Sequence, residues 1–111
     1  MNDRTKALAI PPAVKRAVAA RDSVDNWPVC IYCGRPAPTD SPLAFSNAHY
    51  IARSQAGLGI EENILTLCPT CHAAYDQTDR REELRKYFRA YLKSIYNDWR
   101  EDALVYKKTE E

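Results

Sequence analysis

Three phrases organise the chain: C-I-Y-C-G at 30–34, F-S-N-A-H-Y-I-A-R-S at 45–54, and E-E-N-I-L-T-L-C-P-T-C-H at 61–72, followed by Asp76. All four cysteines and both histidines of the protein fall inside them. Two Cys-x-x-Cys pairs, Cys30/Cys33 and Cys68/Cys71, offer the four thiolates that a tetrahedral structural zinc site requires. Residues 34–67 separate the pairs, a longer gap than zinc ribbons use, with room for a strand and a loop. The spacing therefore predicts a zinc-stapled strand–loop–strand–helix.

The surroundings agree with metal rather than disulfide chemistry. The N-terminus M-N-D-R-T-K-A-L-A-I-P-P has an early acid and no adequate apolar run, so it does not read as a secretory signal. Without one, paired cysteines favour a metal over disulfides in a reducing, cytoplasmic setting. With 111 residues, 45% apolar and 28% charged, the expectation is one soluble α+β domain whose small core gains from a metal staple. Its parts are an arm and helix (1–29), a stapled core (30–77) and a C-terminal helix with tail (78–111). A net charge of +1 excludes a strongly basic, tail-driven nucleic-acid binder but leaves room for a local patch. No run of apolar residues is long enough to span a membrane.

Working outward, residues 1–9 are expected to fray, and Pro11 and Pro12 open a helix through Arg21. Its basic residues, with Arg4 and Lys6 before it, form either a solvated face or a DNA-facing one. Gly34 suits the tight turn of the first knuckle, and 35–42 is turn-rich. A strand over Leu43–Ile51 places Phe45, Asn47 and His49 on one face and Ala44, Ala48 and Tyr50 on the other. A long ordered loop runs to Asn63, a short strand covers Ile64–Leu67, and Pro69 opens a helix to about Tyr75. Asp79 and Glu82 suggest a capping box for the last helix. Its apolar face is Leu84, Tyr87, Phe88, Tyr91, Leu92, Ile95, Tyr96 and Trp99. Leu104–Tyr106 adds a short strand or clasp before a charged tail.

His49 on its strand reads either as a satisfied buried histidine or as a functional one. His72 and Asp76, four residues apart on one helical face, can share a divalent cation. Alternatively, His72 caps the cysteine cluster or bonds a thiolate.

The order C-x-x-C, A-H-Y-I-A-R-S, a glycine-containing loop and E-N-I-L-T-L-C-x-x-C-H resembles the HNH endonuclease family with zinc-binding cysteines. It is most similar to small HNH proteins of bacteriophages and prophages, which share R-S-Q-x-G-L-G-I-E and a tail like that of Trp99–Lys108. The resemblance implies a ββα-metal (His-Me finger) core acting on DNA, as monomer or homodimer, in a bacterial host cytoplasm. It makes His49 the general base, His72 a ligand of a catalytic Mg²⁺, Mn²⁺ or other divalent ion, and Asn63 the residue that orients the base or helps bind metal. The four cysteines hold structural Zn²⁺, and cleavage leaves 5′-phosphate and 3′-hydroxyl ends. Ala48 stands where many members carry a metal ligand before the base; Asp76 is the expected substitute, with Asn47 weaker. Arg53 either holds the scissile phosphate or pairs with Glu61 or Glu62. Arg81, Arg85, Lys86 and Arg89, with Lys93, form a basic face that can follow a DNA backbone. The alternative is a catalytically weak zinc module that binds DNA or a protein such as a phage terminase. A purely structural zinc domain leaves the two histidines unexplained.

Overall fold

In the computed structural model, which describes residues 2–107, the chain forms two short hairpins and four α-helices. The charged tail from Lys108 onward lies outside the described residues. The chain runs α1 (Asp3–Leu8), α2 (Pro12–Arg21), β1 (Ser23–Val24), β2 (Trp27–Pro28), β3 (Ser46–His49), β4 (Ile64–Leu67), α3 (Pro69–Gln77) and α4 (Arg81–Ile95). This is the expected α+β arrangement. Among the described residues no helix is long and apolar enough to cross a membrane.

The antiparallel pair β3–β4 is the centre. Its register sets Ser46 opposite Leu67, Asn47 opposite Thr66, Ala48 opposite Leu65 and His49 opposite Ile64. All four β4 residues are buried, as expected of a short apolar run enclosed on both faces. The side-chain alternation of β3 sends Ala48 into the core, fully buried, while Asn47 and His49 stay partly open. The pleat thus separates the face that carries His49 from the packing face. The strand is shorter than the expected Leu43–Ile51, because 35–45 is spent on turns around the first knuckle.

Helix α3 starts where the sequence suggests, with Pro69 in its first turn and Cys68 as N-cap. Helix α4 packs Leu84, Phe88 and Leu92 inward. Each such side chain, fully buried, is worth about 1.5–3 kcal/mol. Tyr87 and Ile95, assigned to the same face, lie at its exposed margin. The helix stops at Ile95, so Trp99 reaches the core from the segment that follows, its indole N–H donating to the Glu62 carbonyl at 2.8 Å. The expected capping box is absent. Arg80 is the N-cap without a side-chain bond, and the Thr78 hydroxyl accepts from the Arg80 N–H instead (3.1 Å).

Three segments depart from expectation. Residues 3–8 form a helix, capped by the Asn2 side chain on the Thr5 N–H and anchored by buried Leu8. A hairpin turns at Asp25 and Asn26, both in the left-handed region, a conformation Asn and Asp tolerate better than most residues. Arg21, grouped with the basic surface, is drawn inward. Its guanidinium holds buried Asp22 at 2.8 and 2.9 Å and the Glu61 and Ile64 carbonyls at 2.8 and 2.6 Å. The terminal clasp forms as expected, Leu58 N–H bonding Leu104 and Tyr106 N–H bonding Ala56.

Candidate active site and metal centre

The two knuckles meet beside β4. The first is closed by Gly34 N–H on the Cys30 carbonyl (2.9 Å) and tied to the sheet by Ile31 N–H on Thr66 (3.1 Å); Gly34 takes the positive φ of 80° the turn needs. In the second, the Cys71 N–H donates to Cys68 Sγ at 3.4 Å. The four sulfurs lie within 4.8 Å of one another. Cys33 and Cys68 Sγ are 3.7 Å apart, close to the edge of about 3.8 Å for a tetrahedron with 2.3 Å zinc–sulfur bonds. Burial among the other thiols pushes the Cys71 thiol well above its ordinary range, so a cation is what would allow four thiolates to coexist. Cys30 and Cys68 are buried whereas Cys33 is exposed. The donor set fits a structural zinc.

Beside α3, a cleft of about 410 Å³ is lined by Asn47, His49, Ala52, Arg53, Ser54, His72, Asp76 and Arg81. Strand β3 contributes His49 and helix α3 contributes His72 and Asp76, so the hairpin-to-helix connection brings the histidines together. His72 Nε2 and Asp76 Oδ2 are 2.9 Å apart, near the roughly 3 Å between adjacent ligands of an octahedral ion bound at 2.0–2.1 Å. His72 Nδ1 lies 2.7 Å from Ser46 Oγ. With Asp76 accepting from Nε2–H, Ser46 donates to Nδ1; an ion at Nε2 would place the proton on Nδ1 and make Ser46 the acceptor. His72 is thus held by Ser46 and Asp76 rather than by a thiolate. His72 and Asp76 are a donor pair that would fit a hydrated divalent ion.

His49 is half-buried, and its Nε2 is 3.0 Å from the Leu8 carbonyl. A carbonyl only accepts, so Nε2 carries the proton and Nδ1 keeps the free lone pair. Burial holds the imidazole below its ordinary pKa, the Leu8 carbonyl opposing this and Arg53 adding to it. A neutral ring near pH 7 is the state a base requires.

Asn63 lies elsewhere. It is fully buried, its Oδ1 accepting from Ile51 N–H (2.8 Å) and its Nδ2 donating to the Ile51 and Leu58 carbonyls (3.2 and 2.9 Å). With its amide committed to the loop backbone, it braces the segment after β3 instead of facing the cleft as a metal ligand or touching His49. Ala48 likewise cannot be a missing ligand, since its side chain points into the core.

The basic residues divide. Arg53 is exposed at the cleft, while Glu61 is engaged by the Tyr96 hydroxyl at 3.0 Å. Arg81 stacks 4.1 Å above the Tyr75 ring, donates to the Tyr75 carbonyl at 3.0 Å and reaches Asp76 at 3.6 Å. Arg85 and Arg89 pair with Glu101 at 2.8 and 2.7 Å, locking the clasp onto α4. Burial's upward push on the Glu101 carboxyl is outweighed by the Tyr50 hydroxyl, Arg85 and Arg89, and its pKa is lowered. The basic face is therefore partly neutralised, with Lys86 and Lys93 exposed. Ser46 and Leu8 were not among the expected site residues. Ser46 becomes visible only once the register places it beside the end of β4, and a backbone carbonyl leaves no trace in a sequence.

A cleft with a histidine of lowered pKa, a His–carboxylate pair and two arginines, beside a four-cysteine cluster, has the groups that metal-dependent hydrolysis of a phosphodiester calls for. Residues 30–78 match the HNH endonuclease family model. No curated protein matches the chain.

Proposed function

We propose that this protein is a metal-dependent DNA endonuclease, with residues 1–111 acting as one unit. The observation that carries the reading is the convergence of His49, His72, Asp76, Arg53 and Arg81 on one cleft. His49 Nδ1 accepts a proton from water, and the water oxygen attacks phosphorus as the bond to the 3′ oxygen breaks. The 3′ oxygen takes a proton from solvent, giving a 5′-phosphate and a 3′-hydroxyl. Arg53 and Arg81 hold the phosphate oxygens. His72 and Asp76 would hold a divalent ion such as Mg²⁺ or Mn²⁺, which would supply positive charge against the charge that develops in the transition state. Cys30, Cys33, Cys68 and Cys71 would hold Zn²⁺, which would tie β4 and α3 to the first knuckle and so support the placement of His72 opposite His49.

A second reading, a weakly active zinc module that binds DNA or a packaging partner such as a terminase, draws on the small ligand set of only two side chains. The comparison of wild type with Asp76→Ala on supercoiled plasmid separates the two. The nuclease reading expects nicks that DNA ligase reseals, and a higher Mg²⁺ or Mn²⁺ requirement in the variant. Unchanged metal dependence would remove Asp76 from the site, and DNA binding without cleavage at any metal concentration would favour the module.

A further inference from the structure

The family segment begins at Cys30, yet the group that fixes His49 comes from outside it. Helix α1 and the turn after it lie across the loop that follows β3. Gly59 N–H donates to the Ala7 carbonyl at 2.9 Å, Leu8 buries its side chain, and the Leu8 carbonyl takes the His49 Nε2 proton. The seat has little slack. A Cβ on Gly59 would stand 1.9 Å from the Ala9 oxygen and 3.0 Å from the Leu8 oxygen. Gly59 is not in the left-handed region, so the close backbone approach, and not φ, is what excludes a side chain there.

We propose that the N-terminal arm completes the active site, with Leu8 as a positioning residue. Its carbonyl selects the Nε2–H tautomer of His49 and aims Nδ1 at the water, and Gly59 keeps the space in which the arm seats. This rests on the nuclease reading for its effect on rate, but not for the contact itself. The tautomer matters because a base in the other form would present N–H, not a lone pair, to the water. The orienting role that the family resemblance gave to Asn63 is filled here by an arm residue, while Asn63 braces the loop on which the arm rests.

The test uses the full-length zinc-loaded chain labelled with ¹⁵N at histidine, at a pH where the ring is neutral. Wild type is expected to show His49 as the Nε2–H tautomer; a dominant Nδ1–H form would overturn the proposal. Gly59→Ala, which forces the arm to move, is expected to retain zinc and mix the tautomers. Its kcat should fall by more than about tenfold, and by no more than the roughly 10²–10⁴-fold that a general base contributes, with a smaller change in KM. Retention of a single Nε2–H tautomer and the wild-type kcat would overturn the proposal. If Gly59→Ala loses zinc, Leu8→Ala decides, since it removes the apolar anchor and leaves β3 and the loop unchanged; the same outcomes apply. A wild type that cuts no DNA yet shows the Nε2–H tautomer would defeat the nuclease reading and leave the arm contact standing.

Discussion

Replacing Asp22 by alanine should cost more than its place in a short polar turn suggests. Its carboxylate is buried at the junction of α2, β4 and α4. One oxygen accepts from Arg21 Nε at 2.8 Å and from the Tyr91 hydroxyl. The other accepts from Arg21 Nη2 at 2.9 Å and from the Thr66 N–H at 3.0 Å. Removal leaves a buried guanidinium without its counter-charge and two further donors without an acceptor. Breaking a buried pair from one side typically costs about 3–5 kcal/mol, a large part of the roughly 5–15 kcal/mol that holds a domain together. Urea unfolding at matched free zinc measures it, so that metal linkage is common to both proteins. The double variant Arg21→Met/Asp22→Leu should recover much of the loss, since apolar residues of similar volume can replace a buried ion pair. An Asp22→Ala loss below about 1 kcal/mol, well under that range, would show that the network does not hold the junction.

Two further outcomes follow from the site. Cys68→Ser should abolish cooperative folding, because binding of the structural metal and folding are coupled; elemental analysis should find about one zinc in wild type, and a soluble, cooperatively melting variant without zinc would contradict the staple. The acid limb of kcat at saturating divalent ion should have its midpoint below 6.5, since burial lowers the His49 pKa and the rate requires the neutral ring. The same shift makes the unfolded chain bind more protons, so this group's contribution to stability is present above the unfolded pKa and is lost as pH falls through the folded one. A midpoint above about 7 would be inconsistent with a half-buried base of lowered pKa.

Much of the frame was legible because it is local. The two knuckles, Ile64–Leu67, the proline-led α3 and the apolar stripe of α4 each declare themselves through spacing or periodicity over a few turns. His49 and His72 could be paired because the cysteines already bracketed their elements. What escaped reading is long-range. Helix α1 has too few residues to persist on propensity alone, and its seat lies on Gly59, far along the chain. Arg85 and Arg89 read as a free basic face until the clasp brings Glu101 to them. Asp22 carries no local sign of its burial, because its partners lie in β4 and α4. Ala48 is instructive in the opposite sense: strand alternation already placed it away from His49, and the family comparison alone made it look like a vacant ligand position.

The central claim is that His49 is the base of a metal-dependent nuclease, and the direct measurement is supercoiled-plasmid cleavage by wild type and His49→Ala, each zinc-loaded, with Mg²⁺ or Mn²⁺ and with EDTA. Cleavage by wild type that requires the ion and falls by roughly 10²–10⁴-fold in the variant is the expected result. Equal cleavage by both proteins, or none by a wild type that holds its zinc and binds the plasmid, would contradict it.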